Sequence, residues 1–250
     1  MSDRWSDLRA LTQARIALGH AGHALPTGAL LDFQLAHASA RDAVHKPWDI
    51  EAFAEGVRAL GFRPLALATP VTDRAEYLKR PDLGQTLDRE SERKLRLQPP
   101  EAMDVAVVVT NGLSSTALDQ HGLPLLQAIA SACCISGLRL GPVCLVANGR
   151  VAVSDPVGAA LDARAAVIIL GERPGLSADD SLGLYFTYAP CPGRSNAERN
   201  CVSNVRPPAG MDYHEAASKL IYLTRESFRL GLSGVALKDE TRLRAITAGH

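Results

Sequence analysis

The sequence predicts an α/β fold, with a Rossmann-like, mostly parallel sheet, helices on both faces and a mostly helical N-terminal region. After Pro100, candidate strands and helices alternate, as expected when helices join the strands of one sheet. The strands are continuous apolar runs, such as AVIIL at 166–170, which are typical of parallel strands covered on both faces. Before Pro100, helical spacing of apolar residues dominates. We therefore divide the chain into a helical region, residues 1–100, and an α/β domain, residues 101–250.

The first hundred residues contain four candidate helices and one short strand. Apolar residues recur at near-helical spacing at the start, with a stop at Gly19. Asp49 is a predicted N-cap, and Gly61 ends the helix that follows it. The helices are expected over 7–19, 27–44, 49–62 and in the charged stretch 85–98, and the strand over 63–69.

Beyond residue 100 the order is strand, helix, strand, helix, strand. The run MDVAVVV leads into a loop of small residues, and Asn148-Gly149 is the strongest short turn signal of the chain. One or two strands are expected around that turn. Strands are expected over 103–109, 142–147, 165–170 and 182–188, and helices over 116–137, 155–163 and 213–231.

Three loops follow the predicted parallel strands, at 110–115, 147–151 and 171–175. In such sheets, ligands bind beyond the carboxyl ends of the strands, where the strand order reverses. Glu172 directly follows a strand built for the core, so it is a candidate ligand-binding residue. The alternative is an ordinary strand exit with a solvated carboxylate.

Composition excludes several classes of function. Lys plus Arg and Asp plus Glu each number 27, without the basic excess of a nucleic-acid binder or of a polybasic membrane anchor. The longest apolar runs fall far short of the roughly 18 residues typical of a membrane-spanning helix. The polar N-terminus does not resemble a signal peptide, and the five cysteines lack CxxC spacing. A cytoplasmic protein with reduced thiols is expected, one that binds neither nucleic acid nor membrane.

The common catalytic and nucleotide-binding motifs are missing. The sequence contains no GxGxxG, no GxxxxGK[ST] and no GxSxG. His20 and His23 are three residues apart, but the glycine between them disfavours a helix and no Cys or acid completes a metal site. No metal ligand and no catalytic residue are predicted. Cys201 lies in a polar stretch, where a buried, inert thiol is the favoured interpretation on local evidence.

Four long segments carry a resemblance to a known family. They are LTQARIALGHAGHALPTGALLDFQLAHASARDAV, YLKRPDLGQ, VIILGERPGLSADDSLGLYFTYAP and ERNCVSNVRPPAG. Together they resemble the small (light) subunit of ethanolamine ammonia-lyase, from about residue 5 to about residue 230.

The resemblance implies one subunit of a carbon–nitrogen lyase that converts ethanolamine to acetaldehyde and ammonia with adenosylcobalamin. In that family a large β/α-barrel subunit binds the substrate, and the small subunit helps to enclose the cobalamin. The expected partner is therefore the large subunit, within a higher-order hetero-oligomer, and the region 1–100 is expected to contact it. Enteric members carry an N-terminal extension thought to direct them into a bacterial microcompartment. This sequence begins almost at the globular region, so encapsulation by that route is not expected.

The resemblance also implies three cobalamin-binding positions: Val151 after the NGR turn, Glu172 in GERPG and Cys201 in RNCVSN. A carboxylate accepts from amide or ribose donors, whereas Val151 and Cys201 offer mainly apolar surface and backbone groups. Family members keep the dimethylbenzimidazole base on cobalt. This agrees with the incomplete D-x-H-x-x-G motif at Asp119 and His121, where Pro124 stands in place of the glycine.

Two alternatives remain open from the residues themselves. The first is a stand-alone α/β enzyme that binds a nucleotide, with the phosphate at TNGLSS (110–115). The second is a non-catalytic scaffold subunit whose helical region only binds a partner.

Overall fold

One six-stranded sheet organises the protein, which we describe from a computed structural model over residues 6–99 and 101–240. The strand order is β1-β3-β2-β4-β5-β6. The strands are β1 (Pro64–Ala68), β2 (Val105–Thr110), β3 (Leu140–Ala147), β4 (Ala165–Gly171), β5 (Leu182–Tyr188) and β6 (Arg199–Val205).

The sheet is mixed. The pairings β1–β3, β3–β2 and β2–β4 are parallel, whereas β4–β5 and β5–β6 are antiparallel. The α/β prediction is confirmed, and β1 to β4 pair in parallel as expected, but the strand order and the antiparallel pairings of β5 differ from a Rossmann-like sheet. The physical reason is the connection between β4 and β5, residues 172–181, which contains no helix. A parallel crossover needs about a dozen or more residues and usually a helix.

Helices cover both faces of the sheet, as predicted. One apolar cluster joins α2, α6 and α8 to the face that carries Val107 and Ile169, and a second joins α4 and α7 to the face that carries Val108 and Ile168. Complete burial of each such side chain contributes about 1.5–3 kcal/mol, so the central strands anchor both layers. The helices are α1 (Thr27–His45), α2 (Ile50–Ala59), α3 (Arg74–Lys79), α4 (Arg89–Arg96), α5 (Ser115–Ala117), α6 (Leu123–Ile135), α7 (Ser154–Ala160) and α8 (Tyr213–Leu230), with a π-helical turn (Leu118–Gly122) between α5 and α6.

Local sequence signals set several helix ends. The Asp49 carboxylate accepts a hydrogen bond from the Ala52 N–H at 3.0 Å, which confirms it as the N-cap of α2. Asp212 caps α8 in the same way, and α8 ends at Gly231, whose φ of 72° suits a residue without a side chain.

One local prediction was wrong, and one strand was not predicted. Only Ser6–Leu11 of the expected helix 7–19 is helical, as a 3₁₀ helix, and Ala17 and Gly19 adopt positive φ, which a helix does not allow. Of the one or two strands expected around Asn148-Gly149, the structure has one: β3 precedes the turn, and a 3₁₀ turn at Val151–Val153 follows it. Strand β6 was not predicted, because its residues are mostly polar and only three of the seven are buried.

Among the described residues, none of the helices combines the length and apolar character needed to cross a lipid bilayer.

Candidate functional site

A pocket of about 430 Å³ lies beyond the carboxyl ends of β2, β3 and β4. Helix α6 follows β2 on one face of the sheet, and α7 follows β3 on the other. The two loops after these adjacent strands therefore diverge, and the crevice between them is where open α/β sheets bind ligands. We call it the sheet-edge pocket; its lining residues are Tyr77, Gly112, Leu113, Gly149, Arg150, Val151, Leu170, Gly171, Glu172, Arg173, Tyr185 and Ser203.

Two glycines allow the loop after β2 to pack against the end of β4. A Cβ atom on Gly171 would lie 2.0 Å from the Ser114 carbonyl oxygen, and one on Gly112 would lie 2.4 Å from the Gly171 carbonyl oxygen. The Leu113 N–H donates to that same Gly171 oxygen at 2.8 Å. The glycine that precedes Glu172 thus serves a close backbone approach at the floor of the pocket.

The Asn148–Arg150 turn forms the opposite side. Asn148 adopts a positive φ of 54°, and its N–H donates to the Asn111 side chain at 2.8 Å. The Gly149 N–H donates to Thr110 Oγ1 at 2.9 Å, while the Gly149 carbonyl accepts from the Tyr77 hydroxyl at 3.1 Å. The turn is therefore fixed by side chains of β2 and α3, and it places Arg150 and Val151 at the pocket.

Glu172 lies in the pocket with its carboxylate held by hydroxyl groups. Ser181 Oγ donates to Oε2 at 2.6 Å, Ser203 Oγ donates to Oε1, and the Asn204 N–H donates to Oε2 at 3.2 Å. An ionised carboxylate offers about four acceptor sites, so these three bonds orient it and leave capacity for a further donor. The side chain is half-buried, so a donor from the pocket can reach it.

Val151 also lines the pocket. It is half-buried, and its side chain packs against the apolar cluster beneath β3. Its carbonyl accepts from the Ser154 hydroxyl at 2.9 Å, so the residue presents an apolar surface with a fixed backbone.

Cys201 lies beside the pocket rather than among its lining residues. On β6 it pairs with Tyr185 of β5, and the two side chains are in hydrogen-bonding contact. The residue is exposed, so the local interpretation as a buried thiol was wrong. Desolvation raises the pKa of Cys201, with a smaller contribution from the Glu172 charge, while the Tyr185 hydrogen bond lowers it. The net shift is upward, which keeps the thiol protonated and disfavours a role as nucleophile.

A buried ion pair ties this strand to the other side of the sheet. The Arg199 guanidinium binds both Asp155 oxygens at 2.6 and 2.7 Å, and both side chains are only 2% exposed. Arg199 lies two residues before Cys201, and Asp155 lies four residues after Val151. Removal of either partner of a buried pair costs about 3–5 kcal/mol, so the pair fixes the relative position of the two segments.

His121 is not available as a ligand for a metal. It is 7% exposed, and its ring nitrogens lie 2.8 Å from the Tyr213 hydroxyl and 3.3 Å from the Asp180 carboxylate. Both nitrogens are therefore occupied within the protein. In the part of the chain that the structure describes, His, Cys, Asp and Glu side chains form no group of three or more suited to a metal ion.

The serines of the TNGLSS loop are used internally. The Ser114 hydroxyl donates to the Asp179 carbonyl at 2.7 Å, and the Ser115 hydroxyl donates to the Lys46 carbonyl at 2.8 Å. Both side chains are fully buried. This arrangement does not favour the nucleotide alternative, in which the loop would bind a phosphate.

Sequence reasoning missed Tyr77, Tyr185 and the arginines of the pocket. Tyr185 was inside a predicted strand, but the sequence did not place its side chain at the pocket. Tyr77 and Arg74 lie on a short helix far from the pocket loops in sequence, and no local signal connects them to it.

Comparisons with known proteins agree with the resemblance seen in the sequence. The family model for the ethanolamine ammonia-lyase light chain (EutC) matches residues 2–238. A protein of Azotobacter vinelandii named ethanolamine ammonia-lyase small subunit is 51% identical over 97% of this chain and 93% of its own length. Proteins with the same name from Pseudomonas aeruginosa (strain UCBPP-PA14) and Ralstonia nicotianae are 51% and 50% identical, over 97% and 98% of this chain and 89% and 92% of theirs.

Proposed function

The chain belongs to the ethanolamine ammonia-lyase light chain family, and from this premise we propose that its sheet-edge pocket forms one wall of an adenosylcobalamin site completed by the large subunit. The protein is the small subunit of a two-subunit carbon–nitrogen lyase. We assign no catalytic residue to this chain, and we place the substrate ethanolamine on the large subunit. The assembled enzyme is proposed to be a higher-order hetero-oligomer.

The size of the pocket supports a shared site. A cavity of about 430 Å³ suits a drug-sized molecule, whereas a corrin with its nucleotide tail is larger. The pocket can therefore hold only an edge of the cofactor, and the remainder needs a second surface. A partner subunit over the carboxyl ends of the strands supplies that surface.

The position of Glu172 carries the proposal. Its carboxylate is oriented by Ser181 and Ser203 and keeps free acceptor capacity inside the pocket. The corrin rim consists of amide groups, and a buried amide N–H without an acceptor costs about 1–3 kcal/mol. Glu172 is the acceptor we propose for such a group or for the ribose hydroxyl.

The neighbouring residues suit the same ligand. Val151 offers apolar surface next to the Asn148–Arg150 turn, and Cys201 adds a small side chain kept neutral beside Tyr185. We propose contact with the cofactor through their surfaces and backbone groups, without thiol chemistry. The bound cofactor supplies a radical by homolysis of its cobalt–carbon bond, and this wall excludes water from it.

The internal bonds of His121 support a base-on cofactor. A protein histidine that replaces the benzimidazole must present a free ring nitrogen to cobalt. Both nitrogens of His121 are bonded to Tyr213 and Asp180, so the cofactor's own base is proposed to stay on the metal.

Helix α1 supports the proposal that residues 1–100 contact the large subunit. Four of its large apolar side chains are exposed: Leu31 at 57%, Leu35 at 69%, Leu30 at 41% and Phe33 at 40%. Several large apolar side chains on one exposed helix are typical of an interaction surface. A non-catalytic scaffold subunit would use the same α1 surface to bind its partner, but its sheet-edge pocket would bind no ligand.

Reconstitution tests the proposal. The isolated chain should show no conversion of ethanolamine with adenosylcobalamin, and activity should appear when the large subunit is added. The assembled complex should retain a red corrin on gel filtration. Full turnover by this chain alone would refute it. So would a large subunit that, without this chain, is active and binds cobalamin as well as the complex does.

A further inference from the structure

Three arginines at the sheet-edge pocket have no acidic partner in the part of the chain that the structure describes. Arg150 and Arg173 line it, and Arg74 contacts the same Tyr77 ring as Arg150. Among the described residues, no carboxylate lies within 4 Å of any of the three guanidinium groups. By contrast, the buried Arg199 is paired with Asp155.

Arg74 and Arg150 both stack on Tyr77. The guanidinium carbons lie 4.7 Å and 4.1 Å from the centroid of its ring. Cation–π contact stabilises each charge, but two like charges around one buried ring also repel. Burial, and to a lesser degree the charge of Arg150, lowers the pKa of Arg74.

Backbone contacts hold this arrangement in place. Arg74 donates to the Val44 and Gly112 carbonyls at 2.7 and 2.8 Å, and Arg150 donates to the Tyr77 carbonyl at 3.0 Å. Arg74 Nη2 and Arg150 Nε are buried, and no described residue offers either of them a hydrogen-bond acceptor. A positive cluster that is only partly satisfied favours an anion in the neighbouring pocket.

We propose that Arg150, stacked on Tyr77 and assisted by Arg74 and Arg173, forms a phosphodiester subsite for the nucleotide tail of the cobalamin. This inference rests on the proposed function. The amide rim of the corrin is neutral, and the phosphodiester is the anionic group of the tail. Glu172 and Arg150 line the same pocket, so the pocket offers an acceptor for the rim and a cation for the tail. A nucleotide phosphate has the same chemistry and is the alternative source of the anion.

The test measures dissociation constants of the reconstituted two-subunit complex by equilibrium dialysis. The probes are cyanocobalamin, dicyanocobinamide, which lacks the phosphodiester, and ADP. The variants are Arg150→Gln, Arg150→Lys and Arg173→Gln. The control is Arg93→Gln, at an exposed position on α4.

Arg150→Gln should raise the Kd for cyanocobalamin at least about tenfold at low salt, the size expected for loss of a hydrogen bond between charged groups. Arg150→Lys should raise that Kd less than Arg150→Gln does, because it keeps the charge although it loses the planar stacking on Tyr77. High salt should reduce the difference in the Kd for cyanocobalamin between Arg150→Gln and wild type. The Kd for dicyanocobinamide should be the same in Arg150→Gln and wild type. Arg173→Gln, at an exposed position, should show the same pattern more weakly and serves if Arg150→Gln fails to assemble.

Equal losses for cyanocobalamin and dicyanocobinamide would overturn the subsite, because the arginine would then contact the corrin rim. A Kd for cyanocobalamin that is unchanged in both Arg150→Gln and Arg173→Gln would also overturn it. If dicyanocobinamide does not bind to the wild-type complex, the test relies on cyanocobalamin alone. In that case, a loss of cyanocobalamin affinity that does not depend on salt and is equal in Arg150→Gln and Arg150→Lys would overturn the subsite. Wild type that binds ADP but no cobalamin would instead refute the proposed function itself.

Discussion

The Ser203 hydroxyl on β6 donates a hydrogen bond to the Glu172 carboxylate at the end of β4, across the end of the intervening strand β5. This contact passes over Gly183, where a Cβ atom would lie 2.9 Å from Glu172 Oε1. The glycine leaves room for the carboxylate, and the antiparallel strand β6 supplies the donor. The antiparallel pairings of β4, β5 and β6 thus fix the orientation of the Glu172 carboxylate.

Replacing Glu172 with Gln should weaken cofactor binding much more than folding. The Kd of the two-subunit complex for cyanocobalamin should rise at least about tenfold, because a charged acceptor is lost. The free energy of unfolding in urea should fall by about 1 kcal/mol or less, since the site is half-exposed. Glu90→Gln, on the exposed side of α4, is the matched control. An unchanged Kd in Glu172→Gln would remove Glu172 from the site.

Alkylation of Cys201 should depend on its two neighbours. The thiolate is the reactive form, so a raised pKa means less thiolate at a given pH and a slower reaction. Removing the Glu172 charge in Glu172→Gln should shift the pH profile of iodoacetamide labelling to lower pH. Removing the hydrogen bond in Tyr185→Phe should shift it to higher pH.

Mass spectrometry of the isolated chain, labelled between about pH 7 and 10, measures these profiles. Cys133 and Cys144 provide internal controls, because burial raises the pKa of each to about 12 and they should remain unlabelled. Profiles of both variants that coincide with wild type would contradict the contacts described for Cys201.

Gly171→Ala should disrupt the pocket. The new Cβ would lie 2.0 Å from the Ser114 carbonyl oxygen, so the loop after β2 or the end of β4 must move. We expect a loss of stability of about 1–3 kcal/mol, as for overpacking, together with weaker cobalamin binding. Gly175→Ala is the control, because its nearest neighbour would be 3.7 Å away. Equal unfolding midpoints in urea for the two variants would show that the backbone approach at Gly171 is not tight.

Leu31→Asp should weaken assembly with the large subunit. Leu31 is 57% exposed on α1, so a charge there should leave the isolated chain folded but oppose burial in an interface. Ile135→Asp, at an isoleucine that is 87% exposed at the end of α6 and outside residues 1–100, controls for the added charge. Gel filtration and calorimetry with the large subunit measure the effect. Equal affinity of the two variants would place the interface elsewhere.

Much of the fold could be predicted because apolar runs define its central strands. Strands β2, β3 and β4 are buried along nearly their whole length, and their composition shows it. Strand β6 could not be predicted from an apolar run, because only Arg199, Val202 and Val205 of RNCVSNV are buried. The segment 172–181 is too short for a parallel crossover with a helix, which is the sequence signal for an antiparallel β5.

The candidate site was predictable only in part. Glu172 followed from its place after a core strand, and Val151 and Cys201 followed from the family resemblance. The structure places Val151 and Glu172 in one pocket and Cys201 next to it. Arg74 and Tyr77 could not be predicted, because their place beside Arg150 depends on tertiary packing of α3 against the Asn148–Arg150 turn.

A density map of the two-subunit complex with adenosylcobalamin tests the central claim most directly. The account predicts corrin density between the subunits, with the rim at Glu172, apolar contact at Val151 and Cys201, and the nucleotide tail toward Arg150. A map in which side chains of this chain fill the sheet-edge pocket, with the cofactor bound entirely within the large subunit, would contradict it.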